Sequence, residues 1–114
     1  MLKLLKLFFS FTGRLNRKKF FILVITHIMT IMTVVFSFPQ TESQYMYILN
    51  CLTLILVVVS HVSSVFRRCH DINKSGFTYF TIVKVSPFSD WRMLFTEEGT
   101  KGKNDYGMPD EDWF

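Results

Sequence analysis

Apolar residues along this chain are bunched rather than spread. Phe20–Phe38 and Tyr45–Phe66 are runs of 19 and 22 residues without a formal charge. A helix needs about 20 apolar residues to cross the hydrocarbon core of a bilayer. A water-facing helix carries polar side chains on its outer face every few residues, and neither run has a charge there. A chain of 114 residues has too little other material to wrap two such helices as a soluble core. The pattern predicts two transmembrane helices, 20–38 and 45–66. The link between them, Pro39–Gln44, suits a tight turn, so the helices pair as an antiparallel hairpin. Pro39 lacks an N–H and restricts the residue before it, which ends the first helix.

Three further segments surround the hairpin. In residues 2–17, Lys3, Lys6, Ser10, Arg14 and Arg17 recur at three- and four-residue steps, opposite a side rich in Leu and Phe. This predicts an amphipathic helix lying in the membrane interface, its bases on anionic lipid headgroups. Residues 77–95 are apolar but carry Lys84, Asp90 and Arg92, with Pro87 among them. Charges near the bilayer centre are costly and face protein or a water-filled cavity. A span bent at Pro87, a re-entrant helix and a surface helix all remain open, with a broken or re-entrant helix preferred. Residues 96–114 form a polar tail with an acidic end. The fold class expected is an all-α membrane protein in a single domain: a transmembrane hairpin, a third broken hydrophobic helix and an N-terminal amphipathic helix.

Composition and charge add orientation. Hydrophobic residues make up 49% and charged residues 19%, with mean hydropathy +0.25, which excludes intrinsic disorder for most of the chain. Residues 1–19 hold six bases and no acid, the turn holds Glu42 and no base, and Arg67, Arg68 and Lys74 follow the second run. Basic residues stay on the cytoplasmic side, so both ends of the hairpin are expected there, the N-terminus included. The same asymmetry accounts for the pI of 9.2 without a nucleic-acid partner. A cleaved signal peptide is not expected: the first run is too long for an h-region, and an A-x-A site needs alanine, which the chain lacks.

Candidate chemistry is sparse. Two cysteines are too few for a disulfide scaffold or a four-ligand zinc site. Cys69-His70-Asp71 is no triad, because neighbouring residues on a helix point about 100° apart. Arg14, Arg17, Arg67, Arg68, His70 and Asp71 instead suggest a polar knot at the cytoplasmic surface, with Asp71 pairing Arg14 or Arg17 across the hairpin. Gly99-Thr-Lys-Gly-Lys-Asn104 lacks the glycine and hydroxyl that a phosphate loop requires. Inside the spans, Thr26, Thr30, Thr33 and Ser37 share a stripe with His27 at its edge. Asn50, Thr53, Ser60, His61 and Ser64 cluster on the second helix. At about 1.5 Å per residue, His27 and His61 reach similar depths in an antiparallel pair. Helix packing through hydrogen bonds is the preferred reading; a pore lining or a protonatable pair is the alternative. No metal and no cofactor is expected.

Three motifs in order resemble a known family. They are Gly13, Arg14, Arg17 and Lys18 before the first span, then Arg67, Arg68, His70, Asp71, Ser75 and Gly76 after the second. Gly99, Thr100, Gly102, Asn104, Tyr106 and Gly107 complete the set in the tail. Together they resemble the small bacterial inner-membrane proteins of the domain-of-unknown-function 805 family. Asn73 stands where that pattern commonly has Gly, and the third hydrophobic segment is shorter and more charged than the family's third helix. The resemblance implies a multi-pass protein of the bacterial inner membrane and supplies no reaction. The leading expectation is a non-enzymatic protein that assembles with itself or with a larger membrane protein. A homo-oligomeric pore that depolarises the membrane is the alternative. A lipid-headgroup enzyme using His70 and Asp71 ranks third, for want of a nucleophile or metal set.

Overall fold

The computed structural model describes residues 1–77 and 89–110, of residues 89–92 the backbone alone. It is helical, with no strand among the described residues: α1 (Leu2–Phe9), α2 (Arg17–Ser37), a 3-10 turn (Phe38–Gln40), α3 (Gln44–Asp71) and α4 (Ser89–Thr96). Lys84, and the 78–88 part of the third hydrophobic segment, lie outside the described residues. So do the side chains of Asp90 and Arg92, and residues 111–114 of the tail.

α2 and α3 run antiparallel. The start of α2 meets the end of α3 through Leu15 N–H to the Arg67 carbonyl, 3.1 Å. His27 meets Ser60 midway, and Ser37 meets Asn50 near the turn. α2 starts where the Asn16 side chain accepts from the Lys19 N–H at 2.8 Å, satisfying one of the helix's unpaired donors. The 3-10 turn with Pro39 closes it. α3 continues through Arg67–Asp71, beyond the uncharged run, and ends in a Schellman motif. Lys74 N–H reaches the Cys69 carbonyl at 2.8 Å, and Asn73 N–H the His70 carbonyl at 3.0 Å. That motif needs a left-handed residue, and Asn73 supplies it with φ 59°. Asn tolerates this conformation better than other side chains, which explains how it stands in a glycine position.

The N-terminal amphipathic helix is shorter than the 2–17 periodicity suggests. It ends at Phe9, with Ser10 extended, and Gly13 at φ +90° turns the chain inward. Arg14 and Leu15 are thereby buried. A helix continued through Arg17 would have kept the 10–16 segment from reaching the end of α3.

The apolar core sits at the basic end of the hairpin. Leu15, Phe20, Leu23, Val24, Val65, Cys69 and Leu94 form one buried cluster, with Leu7, Phe8 and Phe95 packed against it. α2 and α3 are long and apolar enough to cross a membrane, yet only 28% and 33% of their most apolar stretches are buried. Such helices in water would expose a broad apolar face, which a soluble domain avoids.

Candidate functional site

Asp71, in the last turn of α3, is the centre of a buried ionic cluster. Arg14 Nε donates to one carboxylate oxygen at 2.9 Å, and Arg68 Nη1 to the other at 2.6 Å. Arg68 lies one helical turn before Asp71, so their side chains share a face. Arg14 comes from the inward turn before α2. The three side chains are 7% exposed or less. Two guanidiniums on one carboxylate leave a net positive charge away from water, which is costly unless the remaining N–H groups find acceptors.

They do, in backbone carbonyls, most of them brought by α4 and the tail. Arg14 donates to Gly102 O (2.7 Å), Gly107 O (3.2 Å), Thr100 O (2.5 Å) and Asp71 O (3.5 Å). Arg68 donates to Leu94 O (2.6 Å), Leu15 O (3.3 Å) and Glu97 O. The tail is tied back in turn. Thr100 N–H reaches Asp71 O at 2.8 Å, and Asn104 Nδ2 donates to His70 O at 2.9 Å. Asn104 and Gly107 exchange both backbone hydrogen bonds across a two-residue turn. Gly107 takes φ +111° there. Tyr106 on that turn stacks on His70 with centroids 4.1 Å apart. Gly99 is required by space: a Cβ there would overlap the Asp71 carboxylate.

Thus the segments around Gly13, Arg68 and Gly102 fold onto one another. Of the residues that the sequence groups as a knot, Arg14, Arg68, His70 and Asp71 come together, and Gly99, Gly102, Asn104, Tyr106 and Gly107 close over them. Arg17 and Arg67 do not join. Arg17 donates to Thr96 O at 3.1 Å. Arg67 points 100° away from Arg68, as adjacent helical residues must. It donates to the Lys6 carbonyl at 3.0 Å, the Leu7 carbonyl and Ser63 Oγ, pinning the end of α1. Lys19 and Asp110 pair at 3.1 Å, and Asp110 also accepts the Asn16 N–H at 3.0 Å. Sequence reasoning missed both; Asp110 lies 91 residues from Lys19, and only a sequence pattern linking the tail to the first span could have joined them.

Inside the hairpin, His27 Nε2 meets Ser60 Oγ at 2.8 Å, and the His27 and His61 rings meet edge to face at 5.6 Å. Asn50 Nδ2 donates to Ser37 Oγ at 3.1 Å. The threonines behave differently. Thr26, Thr30, Thr33 and Thr53 each donate to the carbonyl four residues back, at 2.8–2.9 Å. Their hydroxyls are satisfied without a partner helix.

As chemistry, the cluster binds its own chain. Both Asp71 oxygens are engaged by arginines, and His70 Nδ1 bonds the Gly13 carbonyl at 2.9 Å. No group of three or more His, Cys, Asp or Glu is placed to hold a metal among the described residues.

Comparison with known proteins matches residues 8–108 to the family described as protein of unknown function, DUF805. The inner membrane protein YhaI of Escherichia coli O157:H7 is 32% identical over 111 residues, covering 93% of this chain and 90% of that protein. No solved structure matches the chain.

Proposed function

The chain belongs to DUF805, a family of proteins of unknown function, and on that premise we propose that it is a multi-pass inner-membrane protein with a cytoplasmic N-terminus. It acts without catalysis, by assembling with further copies or with a larger membrane protein. The name of its relative, an inner membrane protein, supports the location.

The observation that carries the membrane reading, and leaves a face free for assembly, is the hairpin's outer surface. Ile25, Ile28, Met29, Met32, Leu52, Ile55, Leu56 and Val58 are all exposed. The threonines between them are closed onto their own backbone. Such a surface suits lipid and suits close packing against other helices, since neither demands a polar group from it. The sequence adds a reason for partners in Lys84: wherever residues 77–95 enter the bilayer, its charge calls for protein or water, since an ammonium at mid-membrane costs about 2.5–3.5 kcal/mol on the insertion scale.

Counting subunits by single-molecule photobleaching in lipid nanodiscs tests this reading, with ion flux measured in liposomes of the same preparation. A defined oligomer in sealed vesicles, altered in size by Lys84→Leu, is the expected result. A strict monomer, unchanged by that substitution, would remove self-assembly; binding of a membrane protein would then need capture in native membranes. Steady conductance would replace assembly by a pore.

A further inference from the structure

Beside the Asp71 cluster, sharing Arg14 with it, lies a second polar feature. A cavity of about 480 Å³ opens between α1, the start of α2 and the end of α3. Its size falls within the roughly 300–1,000 Å³ of small-ligand sites. Its charged wall is Lys3, Lys6, Arg14, Lys19 and Arg67 against Asp110.

These charges are not equally committed. Arg14 is held by Asp71, and Lys19 by Asp110. Lys3, Lys6 and Arg67 form no ion pair with a carboxylate among the described residues. Arg67 is 6% exposed, and its buried Nε has no acceptor among the described residues. An unmatched buried donor is uncommon and asks for an acceptor. The Asp110 carboxylate, on Lys19 Nζ and the Asn16 N–H, shows that this wall can hold an oxyanion.

We propose that the cavity is a binding site for a phosphate-bearing anion, supplied by the headgroup of an anionic phospholipid. The choice of a lipid over a soluble phosphate comes from α1. Lys3 and Lys6 line the cavity, while Leu2, Leu4 and Leu5 are exposed by 67%, 53% and 54%. A phosphate held by the lysines would leave its acyl chains beside those leucines. A soluble phosphate has no use for that apolar flank. The lipid assignment rests on the membrane reading above.

The test uses the full chain purified in a zwitterionic detergent. Native mass spectrometry titrates it with phosphatidylglycerol, phosphatidylcholine and inorganic phosphate. Phosphatidylglycerol is expected to bind in preference to phosphatidylcholine and to resist excess inorganic phosphate. Lys3→Gln with Lys6→Gln should weaken it roughly 25-fold, from about fivefold per lysine at an anionic lipid surface. Lys3→Arg with Lys6→Arg should retain binding, which separates loss of charge from loss of fold. Lys101→Gln with Lys103→Gln removes equal charge from the exposed tail and should change nothing. Equal weakening by the tail pair would reduce the effect to net charge and overturn the site. Displacement by inorganic phosphate would overturn the lipid assignment. Lipid binding seen only after deletion of residues 111–114 would make the chain's own acidic end the occupant and overturn it too. Carbonate extraction of wild-type membranes separates the two proposals: a chain that washes off fails the membrane reading, whereas one that stays but ignores phosphatidylglycerol fails this inference alone.

Discussion

Asp71→Asn is the substitution that most directly tests how the basic end is held together. The side chain keeps its shape and loses its charge. Asn offers one acceptor oxygen and one NH₂ where the carboxylate offered two oxygens. One of the two arginine hydrogen bonds, Arg14 at 2.9 Å or Arg68 at 2.6 Å, must therefore face a donor. Hydrogen bonds to charged groups contribute about 1.5–3 kcal/mol each. The remaining cost is the uncompensated pair of guanidiniums, and breaking a buried ion pair from one side costs about 3–5 kcal/mol in all. The Asp71 side chain is 7% exposed, so solvent screening takes little from this figure. Asp105→Asn is the control: Asp105 is exposed, and surface changes of that kind stay within about 0.5 kcal/mol. Both variants should be unfolded by SDS titration in mixed micelles, with helicity as the readout. Asp71→Asn is expected to lower the unfolding free energy by about 3–5 kcal/mol, and Asp105→Asn to leave it in place. A double-mutant cycle with Arg14→Ala should show a coupling of about 0.5–3 kcal/mol, as for residues in direct contact. Matching midpoints for the two Asp variants would mean that the cluster does not hold the tail to the hairpin, and the role assigned to Asp71 would be wrong.

Other consequences are smaller and separable. Gly99→Ala places a methyl against the Asp71 carboxylate and should cost about 1–3 kcal/mol by overpacking, read by the same titration. Both Asn73→Gly and Asn73→Ala lose the exposed 3.2 Å acceptor for the Asp105 N–H, so Asn73→Gly should stay within about 0.5 kcal/mol, while Asn73→Ala should cost about 1–2 kcal/mol more for its φ of 59°; equal effects would mean that Asn73 does not cap α3 through its left-handed backbone. In a background lacking Cys51 and Cys69, Ser43→Cys should react with an impermeant thiol reagent on intact cells and Thr12→Cys only after permeabilisation. Both sites are exposed, so the reverse pattern would invert the topology drawn from the basic residues. Ser60→Ala removes the 2.8 Å partner of His27 Nε2; a loss of about 0.6–2 kcal/mol is expected for an interhelical hydrogen bond, and no loss would make the contact incidental.

The hairpin was legible in the sequence because hydrophobicity adds along a contiguous run. Phe20–Phe38 and Tyr45–Phe66 announce themselves without reference to any other part of the chain, and Pro39 marks the turn by its own chemistry. Segregation of bases from Glu42 is likewise a property of neighbours in the chain, and it points to an orientation. The motifs around Gly13, Arg68 and Gly102 could also be picked out, since each is short and local. An antiparallel hairpin already brings the first two to one end, but the closing of the tail over them could not be read. Which arginine meets Asp71 depends on helix phase and loop path: Arg68 turns inward and Arg67, one residue away, turns to α1. Arg14 reaches the cluster because α1 stops at Phe9 and Gly13 at φ +90° turns the chain inward, whereas Arg17, already on α2, is carried past to Thr96. The basic cavity is further still from the sequence, for Lys6, Arg67 and Asp110 meet only when three separate segments are packed. Local pattern decides which elements form and which faces are apolar. The contacts that give buried charges their partners belong to tertiary structure, because a guanidinium takes whatever acceptors the folded backbone brings within 3 Å or so, however distant in the chain.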